Sequence, residues 1–519
     1  MKKQIIILSL LAATVAGSMT GCKKSSFDER YNNPEKTTNA TIDGLFTGLQ
    51  KNRRILPNYY NMFTFVMPEM AKYAGTAGFV VGNKMYVPSL NYDGDRWADF
   101  YTSPGDKWVA PIANYREMEK LYSAMSGEEA AGYKLLMDCG KVILFDQATQ
   151  MVDLWGDIPF SKAGSLNTSG VISLASYDSQ EAIYDSALTN LQAISESLAS
   201  NTYTDFYKSK LAKQDMFLKG SIDGWRRYTN SLLLRLAMRI SYKDEATAKT
   251  IVTKLLSDPT KYPLVETFDQ NVAVPATSDM LSSDLAAGIA TTPAPDYMIN
   301  TLMVPSADPR LRVLFTKNVR GEYKGLPVGW SASAQNDSIA NNAISRFDST
   351  TFIRNDYFPG IVITAAETNF NIAEAYVRWG VGSIDAYEKG IRASISYYYK
   401  INSLSKYGSA ATAATETEIT TFLNSSLVKL GTDVNDNLEK IATQKWADLG
   451  IMLAPQAWAE VRRTGYPKLT FPTDASTATT QPPMRLLYPD SEKSLNAANY
   501  SAVASKDQLT TKLFWDVKD

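Results

Sequence analysis

Trp225-Arg226-Arg227-Tyr228-Thr229-Asn230-Ser231-Leu232-Leu233-Leu234-Arg235-Leu236-Ala237-Met238-Arg239-Ile240 is the stretch on which the fold turns. Trp225, Tyr228, Leu232, Leu236 and Ile240 recur three or four residues apart, the spacing of one face of an α-helix. Arg235 and Arg239 are displaced around the same helix, beside the apolar stripe. Working outward, Ile183, Ala187, Leu191, Ile194 and Leu198 make a second stripe within 178–199, where Asp178 and Glu181 predict a capping box. Downstream, Ile361-Val362-Ile363 is a short apolar run. Thr364 and Glu367 then predict another capping box, Phe370, Ala373 and Val377 share one face, and Gly380 is a natural helix stop. Tyr387, Ile391, Ile395 and Tyr398 continue on a partner helix, so the pair reads as a helical hairpin. Such hairpins bury their faces by stacking, as tetratricopeptide-type repeats do, although no strict 34-residue period is present. The segments 73–110, 258–300, 318–360 and 464–500 read as long irregular loops, and 472–481 as low-complexity and solvated. Strand signals are few and short. The expected fold is mainly α: tetratricopeptide-like helical hairpins with long ordered loops.

The chain has 519 residues, 45% apolar and 21% charged, so it can build a large core. Its 53 basic and 54 acidic side chains nearly cancel, which argues against nucleic acid as a partner, because that binding needs a basic face. The histidine count is zero. Ser-His-Asp triads, Cys-His pairs and histidine-based zinc sites are therefore excluded. What survives is chemistry by carboxylates, lysine, tyrosine or a hard metal.

Lys2 and Lys3 precede an apolar run from Ile5 to about Ala16, too short for a membrane span and read as a signal-peptide core. Ser18-Met19-Thr20-Gly21-Cys22 follows and looks like a bacterial lipobox, with Cys22 lipidated after removal of 1–21. An ordinary secretory signal with an incidental cysteine is the alternative. Residues 22–41 are polar and aperiodic, a flexible tether, and 42–519 is read as a single helical domain. Acyl chains would hold the protein on a membrane. Cys139 then has no thiol partner, which excludes an intrachain disulfide and zinc-thiolate chemistry and leaves a buried structural thiol.

Segment 79–108 carries seven aromatics in thirty residues: Phe79, Tyr86, Tyr92, Trp97, Phe100, Tyr101 and Trp108. Asn83, Asn91, Asp93, Asp95 and Arg96 are interleaved. Sugars lay their C–H faces on such rings while amides, carboxylates and guanidinium groups bond their hydroxyls. Trp97, Phe100 and Tyr101 also stand at helix-like spacing and are equally able to pack a hairpin. A second candidate is the glycine-flanked run from Tyr323 to Trp330, with Trp330 the strongest single candidate. The ligand-binding candidates are thus Trp330, Tyr323, Tyr86, Tyr92, Trp97, Asn83, Asp95 and Arg96. No catalytic, metal or cofactor site is framed; Asp93-Gly94-Asp95 is too short for a calcium loop.

Five segments in chain order carry a resemblance. They are Leu154-Trp155-Gly156-Asp157-Ile158-Pro159-Phe160; the helix from Trp225 to Ile240; Asp308-Pro309-Arg310-Leu311; Thr364 to Tyr376 with Ala373-Glu374-Ala375; and Gln444-Lys445-Trp446 through Trp458 and Arg462-Arg463-Thr464-Gly465-Tyr466-Pro467, closed by Arg485 with Tyr488-Pro489. Together, behind the lipobox, they resemble the SusD/RagB family of nutrient-binding outer-membrane lipoproteins of Bacteroidetes, in its SusD-like branch. The resemblance implies a lipid-anchored protein at the outer-membrane cell surface that captures an oligosaccharide or peptide. It also implies handover to a TonB-dependent, SusC-like transporter, with no cofactor and no bond chemistry. Related surface lipoproteins carry acidic residues directly after the cysteine; here Lys23-Lys24-Ser25-Ser26 stand there. The motif residues read as structural first. Arg235, Arg239, Arg462 and Arg463 are expected to pair with carboxylates such as Glu374 and Asp157 or to bond helix-end carbonyls, and Trp225, Trp446 and Trp458 to be core. Two other readings compete: a membrane-tethered helical-repeat scaffold that binds only protein, and a His-free glycoside hydrolase with two carboxylates.

Overall fold

Apolar stripes at helical spacing become long helices packed side by side. The computed structural model describes residues 40–55, 58–103, 108–165, 174–276 and 283–518. The expected leader, Cys22 and nearly all of the tether lie outside them. From Ile42 onward the described residues form one packed unit. Its principal helices are α1 (Ile42–Gln50), α2 (Leu90–Tyr101), α3 (Pro111–Ser123), α4 (Gly127–Trp155), α5 (Gln180–Ser200), α6 (Ile222–Ile240) and α7 (Glu245–Ser257). Four more follow: α8 (Ala365–Trp379), α9 (Asp385–Leu404), α10 (Val434–Leu449) and α11 (Ala454–Thr464). Neighbours in sequence pack as antiparallel hairpins, α5 with α6 and α8 with α9, and α6 also meets α8. Two short antiparallel ribbons complete the body. β1 (Ile158–Pro159) pairs with β2 (Tyr177–Asp178), and β3 (Val272–Val274) with β4 (Gly360–Ile363), the run Ile361-Val362-Ile363 included.

The sequence signals for helix ends are right in type and sometimes off by one residue. Thr364 caps α8 by accepting from the Glu367 N–H at 3.0 Å, and Gly380 ends it in the left-handed region. At α5 the cap is Ser179, not Asp178. Asp178 sits in β2 instead, where its carboxylate accepts the Phe160 and Ser161 N–H groups at 2.9 and 2.8 Å. The expected loops also hold more helix than their composition suggests: the 12 residues of α2 lie within 73–110, Tyr297–Met303 winds as a π-helix, and Ala332–Ala340 is α-helical. Turn-forming residues at the edges of these segments masked the short periodic stretches within them.

Trp155, Trp225, Trp446, Trp458 and Trp515 are fully buried. Burying one indole removes roughly 150–250 Å² of surface, on the order of 4–6 kcal/mol as an upper bound. Cys139 is buried and free. The motif around Trp155 is tied to the distant one around Tyr488. Trp155 Nε1 donates to the Leu487 carbonyl at 2.9 Å, Leu486 N–H to that of Leu154 at 2.8 Å, and the Tyr488 hydroxyl to that of Asp157 at 2.6 Å.

A second frame, of buried charge, runs through the helices. Arg235 makes a two-pronged bond to Glu367, 2.6 Å on each prong, joining α6 to α8. Arg463 does the same to Glu374 at 2.7 and 2.6 Å and also reaches Glu460 at 2.7 Å. Arg239 Nη1 and Lys445 Nζ approach Glu460 at 3.0 and 2.8 Å. Arg462 bonds carbonyls, those of Met484 at 2.7 Å and Asp153 at 2.9 Å. Asp157 serves none of these arginines; it accepts from Lys506 at 2.7 Å and from the Gln180 N–H at 2.9 Å. Bidentate geometry of this kind fixes how two helices lie against each other more than it adds stability.

Candidate functional site

Four distant segments meet where the chain turns over 293–296. Gly78 N–H donates to the Pro293 carbonyl at 2.9 Å, and a Cβ at Gly78 would fall 2.7 Å from the Ala294 oxygen. On the other side a Cβ at Gly325 would fall 2.3 Å from the Pro295 oxygen, and Leu326 N–H donates to Ala294 at 2.9 Å. Glycine is required at both places so that the backbones can approach this closely. Asp296 then accepts the Val328 N–H at 2.9 Å and an Asn300 amide proton at 2.6 Å.

Gln335, fully buried, joins the two segments that the sequence singles out. Its Oε1 accepts the Val81 N–H at 2.7 Å and its Nε2 donates to the Pro327 carbonyl at 2.8 Å. Asp474 anchors the third wall: its carboxylate accepts the N–H groups of Lys84 and Met85, so 472–481 is docked at this end although its tip is exposed.

Between these walls lies a hollow of about 190 Å³ with Phe79, Tyr297, Phe471, Asp296, Leu326 and Val328 in its lining. The three rings are half-buried. Behind them Tyr86 meets Phe79 and Phe471 edge to face, with centroids 6.4 and 6.3 Å away. Leu469 and Phe471 also wall a second hollow, of about 420 Å³, that reaches Trp458, Lys468 and Pro482. The 469–471 segment is thus a ridge with an opening on each side.

The expected ligand contacts divide. Tyr86, Trp97 and Arg96 are buried, at 4%, 3% and 3% exposure, and so have no open face for a sugar. Tyr86 donates to the Pro472 carbonyl at 2.7 Å, and Trp97 stands edge to face with Trp155 and Tyr488. The helix-like spacing of Trp97, Phe100 and Tyr101 reflects α2 packing into the core. Tyr92 and Asn83 are exposed, and half-buried Asp95 accepts from the Tyr60 hydroxyl. Burial, then Asp95, pushes the Tyr60 hydroxyl up to about 12. Trp330 is half-buried with Lys324 Nζ 4.9 Å above its ring. Tyr323 faces a separate hollow of about 460 Å³, beside the Arg312–Glu418 pair. Tyr323 and Trp330 do not form one platform.

Tyr297, Phe471 and Asp296 were not singled out by sequence reasoning. The available signal was the pairing of Gly78 and Gly325 with Pro293 and Pro295, but it requires knowing that these turns meet. As for bond chemistry, Glu69 and Asp93 are a buried carboxyl pair. Burial first, and then Glu69, raise Asp93 to about 10, so it is neutral, and neither group lines the hollows described. Among the described residues no three His, Cys, Asp or Glu side chains group as metal ligands, and no helix is long and apolar enough to cross a membrane.

Residues 32–489 match the SusD-like family described as "Starch-binding associating with outer membrane". A solved chitin-binding protein is similar at 22% identity with a TM-score of 0.74, covering 92% of this chain and 100% of its own. A SusD homologue from Bacteroides uniformis gives 22% identity and a TM-score of 0.70 over 92% of this chain and 100% of that one. A chitin-binding SusD homologue from Flavobacterium johnsoniae gives 22% identity and a TM-score of 0.67 over 92% and 99%. At these identities the likeness is one of fold. No curated protein sequence matches.

Proposed function

Because the chain belongs to the SusD-like family of proteins that associate with the outer membrane, we propose that it captures an oligosaccharide and delivers it to a TonB-dependent, SusC-like transporter. The observation that carries the glycan reading is the convergence of Phe79, Tyr297 and Phe471 on one open hollow, with a carboxylate, Asp296, at its edge. Aromatic faces accept the C–H surface of a sugar ring, and short polar groups at the rim accept its hydroxyl protons. The Tyr297 hydroxyl is held protonated, by burial first and then by Glu439, and so can donate to a sugar oxygen.

Trp330 and Lys324 extend the surface on the 323–330 side, and Tyr92 and Asp95 both meet Tyr60 elsewhere on the chain. Buried Tyr86 contributes by backing Phe79 and Phe471, while Trp97 and Arg96 belong to the packing of α2. Binding is non-covalent. The chain is held at the cell surface by lipid on Cys22 after loss of 1–21, with 22–41 as tether and 42–519 as the binding domain.

Calorimetry against starch- and chitin-derived oligosaccharides tests the site. The expected result is binding that Phe79→Ala weakens at least tenfold while heat stability changes little. Unaltered affinity in that variant would move the site elsewhere. A peptide ligand would show itself by saturable peptide binding at the same residues. Steady release of shorter products, abolished by one Asp or Glu substitution, would favour the hydrolase. Gentle detergent extraction through a C-terminal tag tests delivery: a large β-barrel at near-equal stoichiometry supports it, and recovery of the chain alone favours the scaffold.

A further inference from the structure

A cavity of about 70 Å³, which shares no lining residue with the aromatic hollow, has Arg54, Arg96, Asn61, Gln147, Asp146 and Arg235 in its walls. On this measure roughly 10–15 Å³ suffices for one water, so the space is a few waters large. Among its described lining side chains the donors outnumber the acceptors, although Gln150, which gives its N–H to Asp146, keeps an oxygen free to accept. Arg96 is 3% exposed, and among the described residues no acceptor bonds its guanidinium. Arg54 Nη2 is likewise buried without a partner.

The amides point to the same excess. Asn61 already uses its oxygen to accept from Arg54 Nη1 at 2.9 Å, and Gln147 uses its own to accept from Asn52 at 3.3 Å. What each has left is N–H. The one carboxylate in the lining is saturated: Asp146 accepts from Tyr228 at 2.7 Å and Gln150 at 3.0 Å, and faces Arg235 at 3.4 Å.

Charge counting agrees. Asp99 alone answers both Arg53 and Arg54, at 2.5 Å each, while Arg235 has Glu367 and Asp146. Among the described residues Arg96 has no ion pair of its own, and Asp99, the one negative charge acting on it, is already shared by Arg53 and Arg54. Burial, followed by the neighbouring positive charge of Arg54, pulls its guanidinium down to about 9. A buried cation left unpaired is costly. The geometry points to a site for one small monovalent anion, of halide or carboxylate size, held by Arg96 and Arg54 with the Asn61 and Gln147 amides.

Thermal unfolding tests this on the chain from Lys23 onward in chloride-free buffer. Sodium chloride, bromide or formate replaces sodium gluconate at constant ionic strength, gluconate being too large to enter. A saturable rise in Tm is expected, with Arg96→Met raising the half-saturating concentration at least tenfold. If that variant fails to fold, Gln147→Met should shift the same midpoint several-fold. A crystal grown in bromide should show an anomalous peak beside Arg96. Response to halides identifies a free ion; response to formate alone identifies the acid group of a larger ligand. A Tm independent of the anion, or a variant that keeps the whole response, would overturn the site.

Discussion

Glu460 is the sharpest place to disturb the buried frame. Its carboxylate takes Arg463 at 2.7 Å, Lys445 at 2.8 Å and Arg239 at 3.0 Å, all within the protein interior. Arg239, Lys445 and Arg463 face Glu460, Glu374 and Asp153, the last 3.6 Å from Arg239, and at the rim Arg378 reaches Glu374 at 3.7 Å while also meeting exposed Glu245. Glu460→Gln keeps the shape and removes one charge, leaving a net positive cluster that water cannot reach. Breaking a buried pair in this way costs about 3–5 kcal/mol. Urea unfolding followed by tryptophan fluorescence and far-UV circular dichroism should show a loss in that range.

The dependence on pH adds a second readout. Burial pushes this carboxyl up, but the three cations together outweigh it and hold it well below the ordinary glutamate range. Its stabilisation is therefore fully present above about pH 4–5 and drains away as acid is added. Glu460→Gln lacks that component, so the gap to the parent should narrow on acidification. Adding Lys445→Met, which removes the surplus cation, should restore part of the loss. A single variant within about 1 kcal/mol of the parent at pH 7 would refute the charge-balance argument.

Other consequences are separately measurable. Asp448 is raised to about 6, by burial first, while accepting from Thr364 at 2.8 Å. A raised carboxyl stabilises below its unfolded pKa and loses that as pH rises, so the parent should fall by roughly 2–4 kcal/mol relative to Asp448→Asn between pH 4 and 7. Cys139 is buried with its thiol pushed far up, so in the chain from Lys23 onward an aromatic disulfide reagent should titrate no thiol until denaturant is added, then one. Gln335→Ala frees Val81 and Pro327, and glycan affinity measured by calorimetry should fall several-fold with a stability loss of about 1–3 kcal/mol.

Periodicity made the long helices readable, because Trp225 to Ile240 and Phe370 to Val377 bury one face each and the sequence repeats accordingly. The arginines beside those stripes were readable as ion-paired, yet their partners were only partly so. Glu374 does meet Arg463, while Asp157 goes to Lys506, since nothing local encodes which distant carboxylate the packing brings near. The proposed binding surface was the least legible. An aromatic in a polar segment looks alike whether it ends as Trp97, packed on Trp155, or Phe79, opening on a hollow. What separates them is whether the local period faces the core, and α2 is too short and too interrupted by Asp and Gly to display it. Tyr297 lay within a stretch read as loop because a π-turn breaks the usual spacing.

The two-pronged struts Arg235–Glu367 and Arg463–Glu374 join helices to one another, whereas the aromatic hollow is roofed by turns pinned through Gln335 and Asp474. Chassis and face are thus separable for engineering. Randomising 79–83, 326–330 and 469–471 in a display library, with Gly78, Gly325, Gln335 and Asp474 left alone, would vary recognition without touching the interior electrostatics. Folded clones should be common in such a library, and scarce in one that randomises the struts instead.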